Sequence, residues 1–256
     1  MTDANGKQKQ MFRDVRSLIT TVNEFISGAT YQTSYAYDPL RQITSVTDNQ
    51  NNVTSVVYDQ FGRRTQINSP DASLTGFAYD LADNLTFKQL ATGQFVTYAY
   101  QFNRLMGINY SLFTANNVTY TYGAADQAGP PFNLAGRIAL ITDRAGTENR
   151  QYGPLGEIVQ ETRTIPIQGN QFITYQTAYQ YDTWNRLLSI TYPDPKHEVA
   201  TYSYDSGGLV NGVSSNSSYD LQPNYVTRID YDKFGHRLLL QIGDSTTTNG
   251  TTTTYA

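Results

Sequence analysis

The chain contains no cysteine. That excludes disulfides, thiolate nucleophiles and thiolate metal ligands, and it leaves the redox compartment open. Histidine is almost as scarce: His197 and His236 are the only two, both in turn-like stretches, PDPKHEV and DKFGHR, where neither has a catalytic partner in sequence. Charged residues make up 16% of the 256, and the net charge of −4 provides none of the basic footprint that neutralising phosphates requires. Nucleic acid is therefore not an expected partner. No run approaches the roughly 18 apolar residues that span a bilayer, and MTDANGKQKQ at the start has no apolar signal-peptide region. Membrane insertion is not expected, and any export signal is expected elsewhere.

What the chain has in quantity is tyrosine, 21 residues, with 11 phenylalanines and many Thr, Asn and Gln. Aromatic and β-branched residues suit a pleated, half-buried surface and are uncommon in disordered chains. Their arrangement is periodic. Copies of one pattern read YAYDPLRQ, VVYDQFGRR, FAYDLADNL, YAYQFNRL, YTYGAAD, QYGPLGE, YQYDTWNRL, YSYDSGGL and IDYDKFGHRL. Their anchors are Tyr37, Tyr58, Tyr79, Tyr100, Tyr122, Tyr152, Tyr181, Tyr204 and Tyr231, spaced by 21, 21, 21, 22, 30, 29, 23 and 27 residues. The first half is nearly strict and the second half carries insertions.

Asp38, Asp59, Asp80, Asp182, Asp205 and Asp232 follow their tyrosines directly. Three residues beyond that place stand Arg41, Gly62, Asp83, Arg104, Asp126, Gly156, Asn185, Gly208 and Gly235, so seven of nine are Gly, Asn or Asp, the types that tolerate positive φ. D-x-x-G is thus read as a turn that the Asp side chain can cap. Aromatic alternation before it, as in Tyr35/Tyr37 and Tyr202/Tyr204, places each pair on one face of a strand. A second extended run follows, closed by turns such as Asp48–Asn51, Asp143–Gly146 or Pro193–Pro195. One repeat is strand, turn, strand, turn, and stacked repeats are expected to form tyrosine ladders across neighbouring strands. The stretch QKQMFRDVRSLITTVNEFIS reads as a degenerate copy, with Phe12-Arg13-Asp14 in place of Tyr-Tyr-Asp.

These motifs resemble the YD/RHS-repeat family, which includes RHS and wall-associated proteins, the B and C components of insecticidal Tc toxins, and teneurins. YDQFGRR, YDTWNRL and YDKFGHR are close to its consensus, and T-D-x-x-G recurs at Thr2–Gly6 and Thr142–Gly146. The resemblance implies an all-β fold: an antiparallel hairpin array forming a continuous spiralling sheet, a segment of a β-shell. Residues 1–256 are read as one array truncated at both ends, with looser insertions near 123–135, 164–172 and 206–224. The expected structural anchors are the nine tyrosines, the six aspartates that follow them, Gly62, Gly235, Arg63 and Arg186.

The resemblance further implies a non-catalytic wall segment of a large secreted or cell-surface protein that encloses a C-terminal toxin or effector. Its partners would be the remaining repeats and that effector domain. The family's D-P-x-G-like self-cleaving core is not visible, no cofactor or metal is expected, and the turn aspartates already have a structural use. The arginines that follow turns, Arg63, Arg104, Arg137, Arg186 and Arg237, are read as partners of turn carboxylates or covers over tyrosine rings. The competing reading is an adhesion module that stacks glycans on exposed aromatics such as Trp184 and Tyr192.

Overall fold

The computed structural model describes residues 8–127, 129, 132–216, 224–243 and 250–255. The described chain is all-β and antiparallel, with two single 3-10 turns at Thr114–Asn116 and Ala125–Gln127. It divides into two units, 1–117 and 118–256.

In the first unit, ten strands run from Gln8–Arg13 to Arg104–Tyr110, and each pairs antiparallel with the strand that follows it. In the second, eleven strands run in the same manner from Val118–Tyr122 to Thr251–Thr254. The degenerate first copy takes its expected shape, with Gln8–Arg13 and Ile19–Ile26 joined by a turn on Asp14.

Register follows from period-two alternation. Along Ala29–Tyr37 and Ser73–Tyr79, Tyr35, Tyr37, Phe77 and Tyr79 are half-buried while the intervening Ala36 and Ala78 are exposed. Within each unit, the extensive contacts between strands of the described residues are those between neighbours in the ladder. A single layer buries little: among the described residues the buried apolar side chains are Val22, Val96, Tyr152 and Ala200.

The three expected insertions differ from one another. Residues 164–172 are not a loop. They form the far end of a hairpin between Ile158–Ile167 and Gln171–Tyr181, so the extra residues lengthen two strands that keep their backbone bonds. Most of 206–216 is likewise ordinary repeat, a turn closed at Gly208 and the strand Val210–Ser215; residues 217–223 lie outside the described residues, as do Thr2–Gly6. The third stretch, 123–135, is irregular where described and holds the turn Ala125–Gln127.

Candidate functional site

The recurring feature is a motif in which a turn, a bulge and a tyrosine of the next repeat interlock. In the turn on Asp59, the Asp59 N–H donates to the Arg63 carbonyl (2.9 Å) and the Gly62 N–H to the Asp59 carbonyl (3.0 Å). Asp59 Oδ1 accepts from the N–H groups of Phe61 (2.9 Å) and Arg63 (3.0 Å), and Oδ2 accepts from Arg63 Nε (2.8 Å). One carboxylate therefore satisfies two turn N–H groups and a guanidinium. Asp14, Asp48, Asp80, Asp182 and Asp232 repeat the two backbone bonds to Oδ1. Asp205 and Asp38 keep the bond from the fourth residue, Leu209 and Gln42.

The third residue past the first must take positive φ, and Gly62 (81°), Gly208 (82°) and Gly235 (81°) do so without strain. Arg41 (69°), Asp83 (70°) and Asn185 (60°) adopt it with a side chain. Two expected positions do not. Arg104 already pairs with Gln101 in the ladder, because that repeat has no Asp and turns on Phe102 and Asn103, φ 50° and 59°. Two consecutive positive-φ residues make the tight hairpin turn whose twist suits antiparallel strands. Asp126 lies inside the 123–135 insertion, and its expected place is taken by Gly136 (φ 70°), whose N–H bonds the Gly123 carbonyl at 3.0 Å.

Beyond each turn that follows an anchor tyrosine the return strand carries a bulge, a feature that sequence reading missed. Tyr37 pairs with Ile43 and Ala36 with Ser45, so Thr44 has no opposite number; Thr65 and Thr86 are skipped in the same way. A bulge disrupts the ladder locally. The Thr65 and Thr86 hydroxyls bond back to the Val57 and Ala78 carbonyls, at 3.3 and 3.2 Å. The carbonyl just before the bulge accepts the hydroxyl of the next repeat's tyrosine. Tyr37 donates to Ile19 (2.8 Å), Tyr58 to Ile43 (3.0 Å), Tyr79 to Arg64 (3.0 Å), Tyr152 to Ile138 (2.8 Å), Tyr204 to Leu187 (2.7 Å) and Tyr231 to Val210 (2.8 Å). The acceptor is always two residues past the positive-φ position. Tyr100, Tyr122 and Tyr181 hold the equivalent strand places, paired with Leu105, Ile138 and Leu187.

These pairings also correct the expected tyrosine ladder. The residue opposite each anchor is aliphatic or an arginine, Arg64 or Arg237, and no tyrosine ring stacks on another among the described residues. Adjacent repeats are joined by hydroxyl-to-carbonyl bonds instead.

A second link crosses at the turns. Arg63 lies between the rings of Phe61 and Tyr79, 5.2 and 4.8 Å from their centroids, and its Nη1 donates to the Asp80 carbonyl at 3.0 Å. Arg186 lies between Trp184 and Tyr204, at 4.8 and 4.4 Å, and bonds Asp182 Oδ2 at 2.6 Å. Arg137 and Arg237 lie over Tyr152 and Tyr255. Gln42 and Asn84 reach Gly62 O and Asn103 Oδ1 of the following turns.

Electrostatics agree with this use of the aspartates. Hydrogen bonds from the Asn52 and Asn84 side chains hold the Asp48 and Asp80 carboxyls below the usual carboxylate range. For Asp59 and Asp182, desolvation pushes upward and is outweighed by bonds from Arg63 and Arg186. Both histidines sit in turns: His197 has φ 52°, and His236 Nδ1 lies 3.0 Å from Asp232 Oδ2.

In the second unit the tyrosine-bearing face also holds an ion-pair chain. Arg163 Nη2 meets Asp143 at 2.8 Å and its Nη1 lies 3.5 Å from Glu148; Arg150 bridges Glu148 (2.7 Å) and Glu161 (3.5 Å). Glu161 accepts the Tyr179 hydroxyl at 2.9 Å, and desolvation together with that bond pushes Tyr179 up to about 12. The signal in sequence was Glu-x-Arg in two successive strands, Glu148/Arg150 and Glu161/Arg163, which alternation places on one face.

Among the described residues no group of three or more His, Asp or Glu could hold a metal ion, and no helix is long and apolar enough to cross a membrane. A cleft of about 260 Å³ lies between two successive turns, lined by Phe61, Arg63, Asp80, Leu81 and Asp83.

Comparison with known proteins agrees with the repeat reading. Residues 42–74 match the RHS repeat family. The fold is similar to that of TcdB2-TccC3, at TM-score 0.76 and 19% identity, covering 91% of this chain and 13% of that one. It is similar also to the Photorhabdus luminescens Tc holotoxin pore, at TM-score 0.77 and 20% identity, covering 91% and 12%. This chain thus spans about an eighth of the length of the solved chains it matches. No curated protein matches it in sequence. The all-β YD/RHS-repeat resemblance read from the sequence is borne out.

Proposed function

We propose that the chain is a non-catalytic scaffold: a wall segment of a larger secreted or cell-surface RHS/YD-repeat protein whose repeats enclose a C-terminal toxin or effector. The observation that carries this reading is the bond from the tyrosine hydroxyl to the bulge carbonyl, which recurs between successive repeats at Tyr37, Tyr58, Tyr79, Tyr152, Tyr204 and Tyr231. Such a link gains nothing for a lone repeat and accumulates with every repeat added, the logic of a wall. The anchoring tyrosines, aspartates, Gly62, Gly235, Arg63 and Arg186 serve as its fasteners. The capping carboxylates are committed to turn N–H groups and cationic or amide neighbours, an arrangement that suits a fastener better than an acid–base pair.

Glycan adhesion finds less support. Trp184 sits at a turn with Arg186 over its ring, whereas Tyr192 lies past the far end of the strand Leu187–Thr191. A strand of that length holds them too far apart for one sugar to touch both.

Protease protection in the parent protein tests the proposal. The polypeptide that follows the array should resist cleavage while the array is folded and become sensitive when it is unfolded. Equal cleavage in both states would sink encapsulation, and saturable binding on a glycan panel, lost on replacing Trp184, would shift the reading to adhesion.

A further inference from the structure

Positive-φ glycines close turns at both edges of each unit, and what stands over them differs. Gly93 closes the turn Leu90–Gln94 with the same two backbone bonds as an Asp turn: the Leu90 N–H donates to the Gln94 carbonyl (2.7 Å) and the Gly93 N–H to the Leu90 carbonyl (3.0 Å). A Cβ built on Gly93, or on Gly28 and Gly169 at the edges away from the Asp turns, would meet nothing within 4 Å. At the Asp-turn edge that place is occupied. A Cβ on Gly62 would lie 2.8 Å from Gln42 Nε2, on Gly156 2.8 Å from Arg137 Nη2, on Gly208 3.4 Å from Arg186 Nη1 and on Gly235 3.8 Å from Leu209 Cδ1. In each case the covering side chain is the closing residue of the preceding turn, the one whose carbonyl accepts the first residue's N–H.

We propose that the closing residue of each Asp-edge turn is a specificity-determining residue, which reads the positive-φ residue of the next turn and so selects which turn follows it. Where the next turn carries glycine, the closing Gln, Arg or Leu lies in the space that a Cβ would fill. Where it carries a side chain, the closing residue bonds that side chain instead: Arg63 Nη1 lies 3.3 Å from Asp83 Oδ1, and Asn84 Nδ2 donates to Asn103 Oδ1 at 3.0 Å. A glycine seat therefore admits several closing residues, whereas an Asp or Asn seat requires a donor. Glycine at 62 thus has two roles, a backbone conformation and a seat, while Gly93 has only the first.

The acidic closing residue among the described Asp-edge turns behaves as this rule requires. Glu157 closes the turn on Gly153, and a carboxylate has only acceptors to offer the backbone of the next turn. Its side chain folds back on its own turn: a Cβ on Gly153 would lie 1.9 Å from Glu157 Oε1, and Glu157 Oε2 is buried without a hydrogen-bond partner. Gln42, in contrast, donates from Nε2 to the Gly62 carbonyl at 3.0 Å, and Arg63 from Nη1 to the Asp80 carbonyl at 3.0 Å. The inference deepens the wall-segment reading by naming what orders its repeats; it rests on the scaffold role and not on any cargo.

Urea unfolding of the whole chain, with hydrogen exchange read residue by residue, tests the proposal. Gly93→Ala measures the cost of the backbone conformation alone. Gly62→Ala should raise the unfolding constant about fivefold more than Gly93→Ala, the loss of one hydrogen bond, and the excess should vanish in a Gln42→Ala background. Gln42→Arg should keep the coupling, since Arg137 and Arg186 hold the same place over glycine, and Gln42→Glu should lose it. With Ala or Glu at 42, exchange should quicken in the turn Asp59–Arg63, one repeat on, and stay unchanged in the turn on Asp14, one repeat back. Equal losses at Gly62 and Gly93, a Gly62→Ala cost indifferent to Gln42→Ala, or exchange that quickens equally on both sides overturns the proposal. The exchange measurement needs only the Gln42 variants, which alter no positive-φ residue, so it decides the matter even where Gly62→Ala does not fold. Either result leaves the protease test of encapsulation untouched.

Discussion

Replacing tyrosine by phenylalanine at the anchors separates the hydroxyl's role from the ring's. Tyr58, Tyr79 and Tyr204 donate to bulge carbonyls at 3.0, 3.0 and 2.7 Å. The hydroxyls of Tyr100 and Tyr181 make no hydrogen bond among the described residues, and desolvation pushes both of those phenols up. A net hydrogen bond is worth about 0.5–1.5 kcal/mol, and stranding a buried acceptor costs about 1–3. The acceptors here lie in a single-layer sheet that water can approach, so the loss should fall near 1 kcal/mol for each of Tyr58→Phe, Tyr79→Phe and Tyr204→Phe. Tyr100→Phe and Tyr181→Phe should change stability by less than about 0.5 kcal/mol, or raise it slightly, because a desolvated hydroxyl without a partner is removed. Urea midpoints at constant slope measure the difference, and at this chain length about 1 kcal/mol corresponds to roughly 2–4 °C in melting temperature. Equal losses at all five sites would show that ring packing, and not the bond to the bulge, fastens the repeats.

Gly62→Ala should destabilise by about 1–2 kcal/mol, because φ is 81° and its Cβ would meet Gln42 Nε2 at 2.8 Å; Arg41→Gly should instead be neutral or stabilising, up to about 1 kcal/mol, as judged by thermal melts. Gly153→Asp, which writes the consensus residue into its turn, should destabilise by roughly 1–2 kcal/mol, since the new Cβ would lie 1.9 Å from Glu157 Oε1 and the two carboxylates would repel; adding Glu157→Arg should recover the loss in urea titrations. Asp48, Asp59, Asp80, Asp182 and Asp232 are held below their ordinary range in the folded chain, so the unfolded chain binds protons first as pH falls. Their stabilisation is complete above about pH 5 and is lost progressively as pH falls below it; melting temperature should stay level from pH 7 to 5 and then drop, and a drop beginning near pH 6 would contradict this assignment.

Much of this structure was legible because each repeat states the same local rule. Asp followed three residues later by a positive-φ type identified the turns on Asp59, Asp182 and Asp232; the copy on Asp14, with Ser17 at that place, was recognised by Phe12-Arg13-Asp14 standing where Tyr-Tyr-Asp would. Where the rule failed, a different local solution replaced it. Phe102-Asn103 turns in two residues once Asp is absent, and Gly136 closes a turn whose first residue is Gly123, thirteen positions earlier. The bulges were not legible, since Thr44 or Thr65 in an alternating strand looks like any other outward residue. Only the register shows that it has no opposite number. With the bulge unseen, the tyrosine hydroxyl had no acceptor, and stacking of rings was the natural but mistaken expectation.

The bulge resolves a problem that a one-layer sheet otherwise faces. With four apolar side chains buried among the described residues, packing alone contributes little, and each repeat must gain stability from its neighbours' backbones. A regular ladder uses its carbonyls within the sheet and has few to spare. One extra residue per repeat disturbs that pairing, and the carbonyl before it takes a bond that only the following repeat's tyrosine supplies. The same residue increases local twist, which lets successive strands turn together. Asp, positive-φ turn, bulge and tyrosine are therefore parts of one joint, and losing one member should loosen the others.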